Sequence, residues 1–265
     1  MTVQSNPDVL FVTLDSCRFD TFEEAHLQNM KSIGPLYEAH APGNFTLSSH
    51  VAMFRGFTPG IASKRELYVN PKYGKFFRMQ HGGLKGKGEN SIVLEGENIA
   101  EGLSRRGYSC FAAAALGWFN PKTYTGSTLL RGFHEVLFRG KPFLVAEQVD
   151  WLLQKKKRAQ RPVFAFLNVG ETHVPYCFQN ADWDHDYNPC VPFSQDNDAT
   201  ECRRRQLSCV EYVDVVIEPL LQAFSDALII ICADHGDAWG EDGLWEHGIF
   251  HESVFRVPLL FRVPW

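Results

Sequence analysis

Three apolar runs that each stop on charged or imidazole side chains constrain this chain more than any other feature. Ala227–His235 reads A-L-I-I-I-C-A-D-H, with Gly236 and Asp237 following. Asp8–Asp15 reads D-V-L-F-V-T-L-D, and Pro162–His173 reads P-V-F-A-F-L-N-V-G-E-T-H. Short, continuously apolar runs rich in β-branched residues suit strands covered on both faces of a parallel sheet. In such sheets ligands sit beyond the carboxyl ends of the strands. If the three strands share one sheet, Asp15, Glu171, His173, Asp234 and His235 converge on one edge. A carboxylate and an imidazole at the mouth of a dry strand are costly unless something compensates them, and a bound cation does so. Taken alone, Asp234 also suits the cap of a following helix, with His235 in solvent.

The rest of the chain alternates helix and strand. A helical stretch follows Asp20 to about Lys31. Strands are expected at 36–40, 108–115, 133–138 and 257–261, and helices at 97–106, 145–160 and 201–224. The last of these carries Leu207, Val210, Val213, Ile217, Leu220 and Leu221 at helical spacing. Thr46 opens a further helix that ends near Gly56, at the place of an N-cap. A hydroxyl there also lies among free backbone N–H groups, which bind anions. The two readings are compatible. Residues 78–90, R-M-Q-H-G-G-L-K-G-K-G-E-N, read either as a solvated surface loop or as an anion-clamping lid. Alternation of this kind specifies an α/β fold: a three-layer sandwich with a predominantly parallel central sheet, formed by one domain over 1–265.

Composition narrows the class. Apolar content of 45% and charged content of 22% are ordinary for a globular enzyme. A net charge of −5 argues against a general nucleic-acid surface. No apolar run approaches the ~20 residues of a membrane span. The N-terminus M-T-V-Q-S-N-P-D lacks the basic and apolar regions of a signal peptide. The seven cysteines are odd in number and scattered. Together these lead to the expectation of a cytoplasmic protein with reduced thiols.

Five blocks then resemble one family. D-V-L-F-V-T-L-D, N-F-T-L-S-S-H-V-A-M-F-R-G, T-H-V-P-Y, A-D-H-G-D and H-G before R-V-P-L-L resemble, in order and spacing, the alkaline phosphatase superfamily. Its sulfatase-like branch, which includes lipoteichoic acid synthase-type phosphotransferases, is the most similar. The resemblance implies an alkaline phosphatase-like fold. It implies that Asp15, Asp234 and His235 are metal ligands and that Thr46 is the nucleophile, also touching the metal. It implies that His50 is the basic residue facing the nucleophile, and that His173 and His247 hold the substrate's anionic group or a second metal. The chain departs from the pattern in three places. Sulfatases carry a formylglycine-forming Cys or Ser where Thr46 stands. Ser16 stands where they carry a second Asp. For the D-x-x-x-H pair of two-zinc members only Glu171-x-His173, or Asp182 with His185, is available.

An oxygen and nitrogen donor set of this kind suits zinc or manganese. The expected activity is metal-dependent hydrolysis or transfer of phosphate or phosphonate esters by a threonine nucleophile. The expected partner is a small anionic ester, with no nucleic acid and no membrane span. Two alternatives stay open: a sulfate-ester hydrolase working without formylglycine, and a non-catalytic metal-binding protein with the same fold.

Overall fold

The computed structural model describes residues 6–56 and 97–264, so the basic segment 78–90 lies outside the described residues. Its centre is a seven-stranded sheet in the order β2-β9-β6-β1-β5-β3-β4. The strands are β1 (Val9–Leu14), β2 (Tyr37–His40), β3 (Ser109–Ala114), β4 (Glu135–Phe138), β5 (Val163–Val169), β6 (Leu228–Ala233) and β9 (Arg256–Arg262). All neighbouring pairs from β6 to β4 are parallel, and β9 runs antiparallel to both β6 and β2. A two-stranded hairpin, β7 (Ala238–Trp239) and β8 (Trp245–Glu246), stands apart from the sheet.

Strand alternation explains the three layers. On β1 and β5, Leu10, Val12, Leu14, Ala165 and Leu167 face one way, while Val9, Phe11, Phe164 and Phe166 face the other. The first face packs on α1 (Phe19–Glu24), α5 (Val145–Arg158) and α6 (Ala199–Ala223). The second packs on α2 (Thr46–Arg55), α3 (Ile99–Arg105) and α4 (Tyr124–Leu129). On α6, Val210, Val213, Ile217 and Leu220 are all fully buried, as their spacing requires. At roughly 1.5–3 kcal/mol for each fully buried large apolar side chain, the two clusters supply most of the folding drive.

The expected helix to Lys31 ends instead at Glu24. Beyond it the N–H groups of Asn29 and Met30 donate to the buried Asp214 carboxylate of α6, at 3.0 and 2.7 Å. A tertiary acceptor thus replaces the helical one. A four-residue helix, α7 (Glu252–Phe255), precedes β9.

Candidate functional site

β1 and β6 lie side by side in parallel register, Leu14 beside Ala233, so Asp15 and Asp234 leave the sheet as neighbours. Ser16 turns the chain in the left-handed region, φ 60°, a costly conformation outside glycine. The turn aims its N–H at Asp234 Oδ1, 3.2 Å away. His235 donates its own backbone N–H to the same oxygen at 3.0 Å. The His235 ring Nδ1 lies 3.0 Å from the Gly236 carbonyl, which only accepts. Nε2 is therefore the free nitrogen, 3.8 Å from Asp15 Oδ1 and 3.5 Å from Asp234 Oδ2. A Cβ on Gly236 would meet the Ser253 carbonyl at 2.3 Å, so only glycine lets this turn seat against α7.

This cluster is badly compensated by protein alone. Asp15, Asp234 and His235 are fully buried, and Asp234 Oδ2 has no hydrogen-bond partner. Burial, then the nearby Asp15 charge, pushes the Asp234 carboxyl well above its usual range. Burial, then the His247 charge, pushes the His235 imidazole well below its own. The ligand atoms of Asp15, Asp234 and His235 all lie within 4.8 Å of one another. Paired carboxylates, an unpartnered oxygen and an imidazole lone pair facing one another fit a divalent cation.

Thr46 arrives from the opposite layer. The N-cap of α2 is Phe45, in extended conformation, and Thr46 is the first helical residue. The expectation of Thr46 as the cap is corrected accordingly: its hydroxyl satisfies no helix N–H. Oγ1 lies instead 3.4 Å from Asp15 Oδ1 and 3.4 Å from His235 Nε2. His50, one turn on, does not face that hydroxyl. Its Nδ1 bonds the Thr46 carbonyl at 2.8 Å and its Nε2 meets Thr13 Oγ1 at 3.0 Å. Phe54, Phe119 and Phe166 close around the ring edge to face. Burial pushes the His50 pKa down, which holds the ring neutral.

His173 and His247 meet above the cluster, ring centroids 5.2 Å apart, with His247 4.4 Å from His235. His173 spends Nδ1 on the Val174 carbonyl at 2.7 Å. Its segment is a turn rather than extended, closed by Tyr176 N–H donating to the His173 carbonyl at 2.7 Å. His247 Nδ1 pairs with Asp237 Oδ1 at 2.7 Å. Burial would lower the His247 pKa, but the Asp237 charge and hydrogen bond outweigh it and carry it up to about 9. Gly248 takes φ 79°, and a Cβ there would have open space within 4 Å, so backbone freedom, not close approach, requires glycine.

Asp237 is the residue that sequence reasoning left without a role. It is fully buried, and its Oδ2 accepts the Tyr176 hydroxyl at 2.7 Å, which in turn accepts the Trp239 indole N–H at 2.8 Å. With His235 and His247 it forms a second group whose ligand atoms lie within 4.8 Å. The signal was its place in A-D-H-G-D, three residues after Asp234. Gln206 of α6 was not signalled at all. Its amide donates to the Ser16 and Thr172 carbonyls at 2.9 and 3.1 Å and accepts the Arg18 N–H at 3.2 Å, tying two of the strand-end loops together.

Glu171 does not converge on this edge. Its Oε1 accepts the Val145 N–H at 2.7 Å, so it serves the open N-terminus of α5. Asp182 and His185 also stay away from the cluster: Asp182 faces Arg204, and His185 faces the Ala181 carbonyl.

With this arrangement in view, the chain's relatives are informative. The sulfatase family model matches residues 7–264, and the chain belongs to that family. It is 23% identical to choline-sulfatase of Rhizobium meliloti (strain 1021), across 97% of this chain and 63% of that protein's length. Its fold matches the C-terminal periplasmic domain of the phosphoethanolamine transferase EptC from Campylobacter jejuni. The TM-score is 0.64 at 14% identity, covering 97% of this chain and 79% of that one. The corresponding domain of Escherichia coli EptC, solved in complex with Zn, gives 0.63 at 11% identity, covering 98% and 74%. The fold is that of the alkaline phosphatase superfamily. Among the described residues no helix is long and apolar enough to cross a membrane.

Proposed function

We propose that this site transfers or hydrolyses phosphate or phosphonate esters, with Thr46 as nucleophile. The observation that carries the reading is the Thr46 hydroxyl, released from capping and set 3.4 Å from both Asp15 and His235 at the head of α2. Asp15, Asp234, His235 and Thr46 would hold a divalent cation, zinc or manganese by donor set. Such a cation supplies two things when bound: a lowered pKa for the Thr46 hydroxyl and neutralisation of charge on the transferring group. Thr46 attacks phosphorus in line, the leaving alcohol departs, and water or another alcohol releases the phosphothreonine. With Nδ1 of His173 taken by the Val174 carbonyl and Nδ1 of His247 by Asp237, both rings would offer Nε2 to the anion. Threonine supports phosphoryl over sulfuryl chemistry because it forms no formylglycine. A small anionic ester is the substrate class.

The test is a panel of aryl phosphate monoester, diester and sulfate with added Zn²⁺ or Mn²⁺, followed by peptide mass spectrometry of the quenched enzyme. Turnover of a phosphate ester with a phosphate adduct on Thr46 is expected. Turnover of the sulfate alone replaces the reading with sulfate-ester hydrolysis. Bound metal without turnover of any ester leaves a binding protein. A second reading has its own observation, the His235, Asp237 and His247 group, which has the composition of a second cation site. Two metals per chain by elemental analysis would establish it.

A further inference from the structure

A row of buried polar side chains beneath Thr46 and Asp15 takes no part in the chemistry just described. Asn168 on β5, Thr13 on β1 and His50 on α2 are all fully buried, in an otherwise apolar layer that includes Phe54, Phe119, Phe164 and Phe166. Packing alone is served as well or better by apolar residues there. Yet each member finds partners. Asn168 Oδ1 accepts the N–H groups of Ala115 and Leu116, both at 3.3 Å. Backbone N–H groups only donate, so the amide orientation is settled and Nδ2 is the donor on the other side. It reaches Asp15 Oδ2 and Thr13 Oγ1, each at 3.3 Å. The Thr46 carbonyl only accepts, so His50 Nδ1 carries a hydrogen, and Nε2 meets the Thr13 hydroxyl at 3.0 Å. The row therefore runs unbroken from the end of β3 to the first turn of α2.

We propose that Asn168 and Thr13 are positioning residues: Asn168 fixes the Asp15 carboxylate, and Thr13 through His50 fixes Thr46 against it. This rests on the reading of Asp15 as ligand and Thr46 as nucleophile. The Asn168 N–H on Oδ2 leaves Asp15 Oδ1 as the oxygen nearest Thr46 and His235. The Thr13–His50–Thr46 link joins β1, which carries Asp15, to the helix from the other layer. It adds to the direct Thr46–Asp15 hydrogen bond at 3.4 Å and to the Gly248 N–H bond on the Asn44 carbonyl, which also hold the head of α2. Partners behind metal ligands typically govern affinity or activity by roughly 10–100-fold.

The test titrates Zn²⁺ into metal-free wild type, Asn168→Ala, Thr13→Val and Thr13→Ser, with unfolding midpoints measured beside it. Asn168→Ala is expected to weaken Zn²⁺ binding by about 10–100-fold. Thr13→Val keeps the volume and loses the hydroxyl; it is expected to lower kcat on the aryl phosphate by about tenfold or more with KM unchanged, and Thr13→Ser to restore it. Wild-type Zn²⁺ affinity in Asn168→Ala overturns the role of Asn168. A Thr13→Ser variant no better than Thr13→Val overturns that of Thr13. If wild type itself takes up no Zn²⁺, the ligand reading fails, and this inference with it.

Discussion

Asp234 and Glu171 hold nearly the same place in the fold and end in different roles. Each follows a buried parallel strand, each is a buried carboxyl group, and each has one oxygen without a partner, Oδ2 and Oε2. Burial raises the pKa of both. The surroundings differ. Asp234 faces a second carboxylate, a free imidazole nitrogen and the Thr46 helix. Glu171 faces the open N-terminus of α5, where Oε1 accepts the Val145 N–H and burial keeps the carboxyl protonated up to about pH 8. Burial with an orphaned oxygen therefore does not by itself set Asp234 apart; the second carboxylate and the imidazole nitrogen beside it do.

The largest effect that separates the two carboxyls is metal loss. Asp234→Asn should cut bound Zn²⁺ or Mn²⁺ at least tenfold and remove activity, while Glu171→Gln leaves the metal content unchanged. Elemental analysis of both purified variants checks this, and equal losses would erase the distinction.

Next in size is the anion side of the site. Ala in place of His173 or His247 should lower kcat/KM by roughly 10²-fold, about the loss of one oxyanion donor, with metal at the Asp15–Asp234 cluster retained. Steady-state kinetics beside metal stoichiometry decide it. A drop from two metals to one in the His247 variant would make that residue a ligand instead.

Glu171 should report itself through pH. Its folded pKa is raised to about 8 from an ordinary 4.5, with burial as the cause. The folded state then holds the proton more tightly than the unfolded chain does. The stability linked to that proton is complete below about pH 4.5 and is lost as pH rises through 8. Glu171→Gln keeps the acceptor for Val145 and removes the titration. Its stability relative to wild type should improve by roughly 4 kcal/mol between about pH 4.5 and 9. Urea midpoints at the two pH values measure it, and a pH-independent difference would contradict the assignment.

The smallest effect concerns Thr46. Because its hydroxyl caps no helix N–H, Thr46→Ala should change stability by less than about 1 kcal/mol, the usual value of a cap, while turnover disappears. A larger loss in denaturant unfolding would return Thr46 to a capping role.

The legible parts of this molecule were those written in local pattern. Apolar runs of strand length fixed β1, β5 and β6, and parallel stacking made their endings neighbours, so the approach of Asp15, Asp234 and His235 was legible from pattern, while their roles came only from the family resemblance. Period 3.6 identified α6 and its buried face. Side-chain direction was decided only in three dimensions. Glu171 belongs to the same pattern of endings, but two residues past β5 the chain has begun to turn, and α5 offered a closer donor. His50 lies four residues after Thr46, on the same helix face, yet the layer of Phe54, Phe119 and Phe166 closed over it. Asp237 became part of the site only when the β7–β8 hairpin brought His247 back onto it. Asn168 sits inside a strand that reads as plain core, and its partners come from β1 and the end of β3. A strand's place in a sheet follows from its own hydrophobic pattern, whereas a buried polar side chain is defined by partners far away in the chain, which no local pattern records.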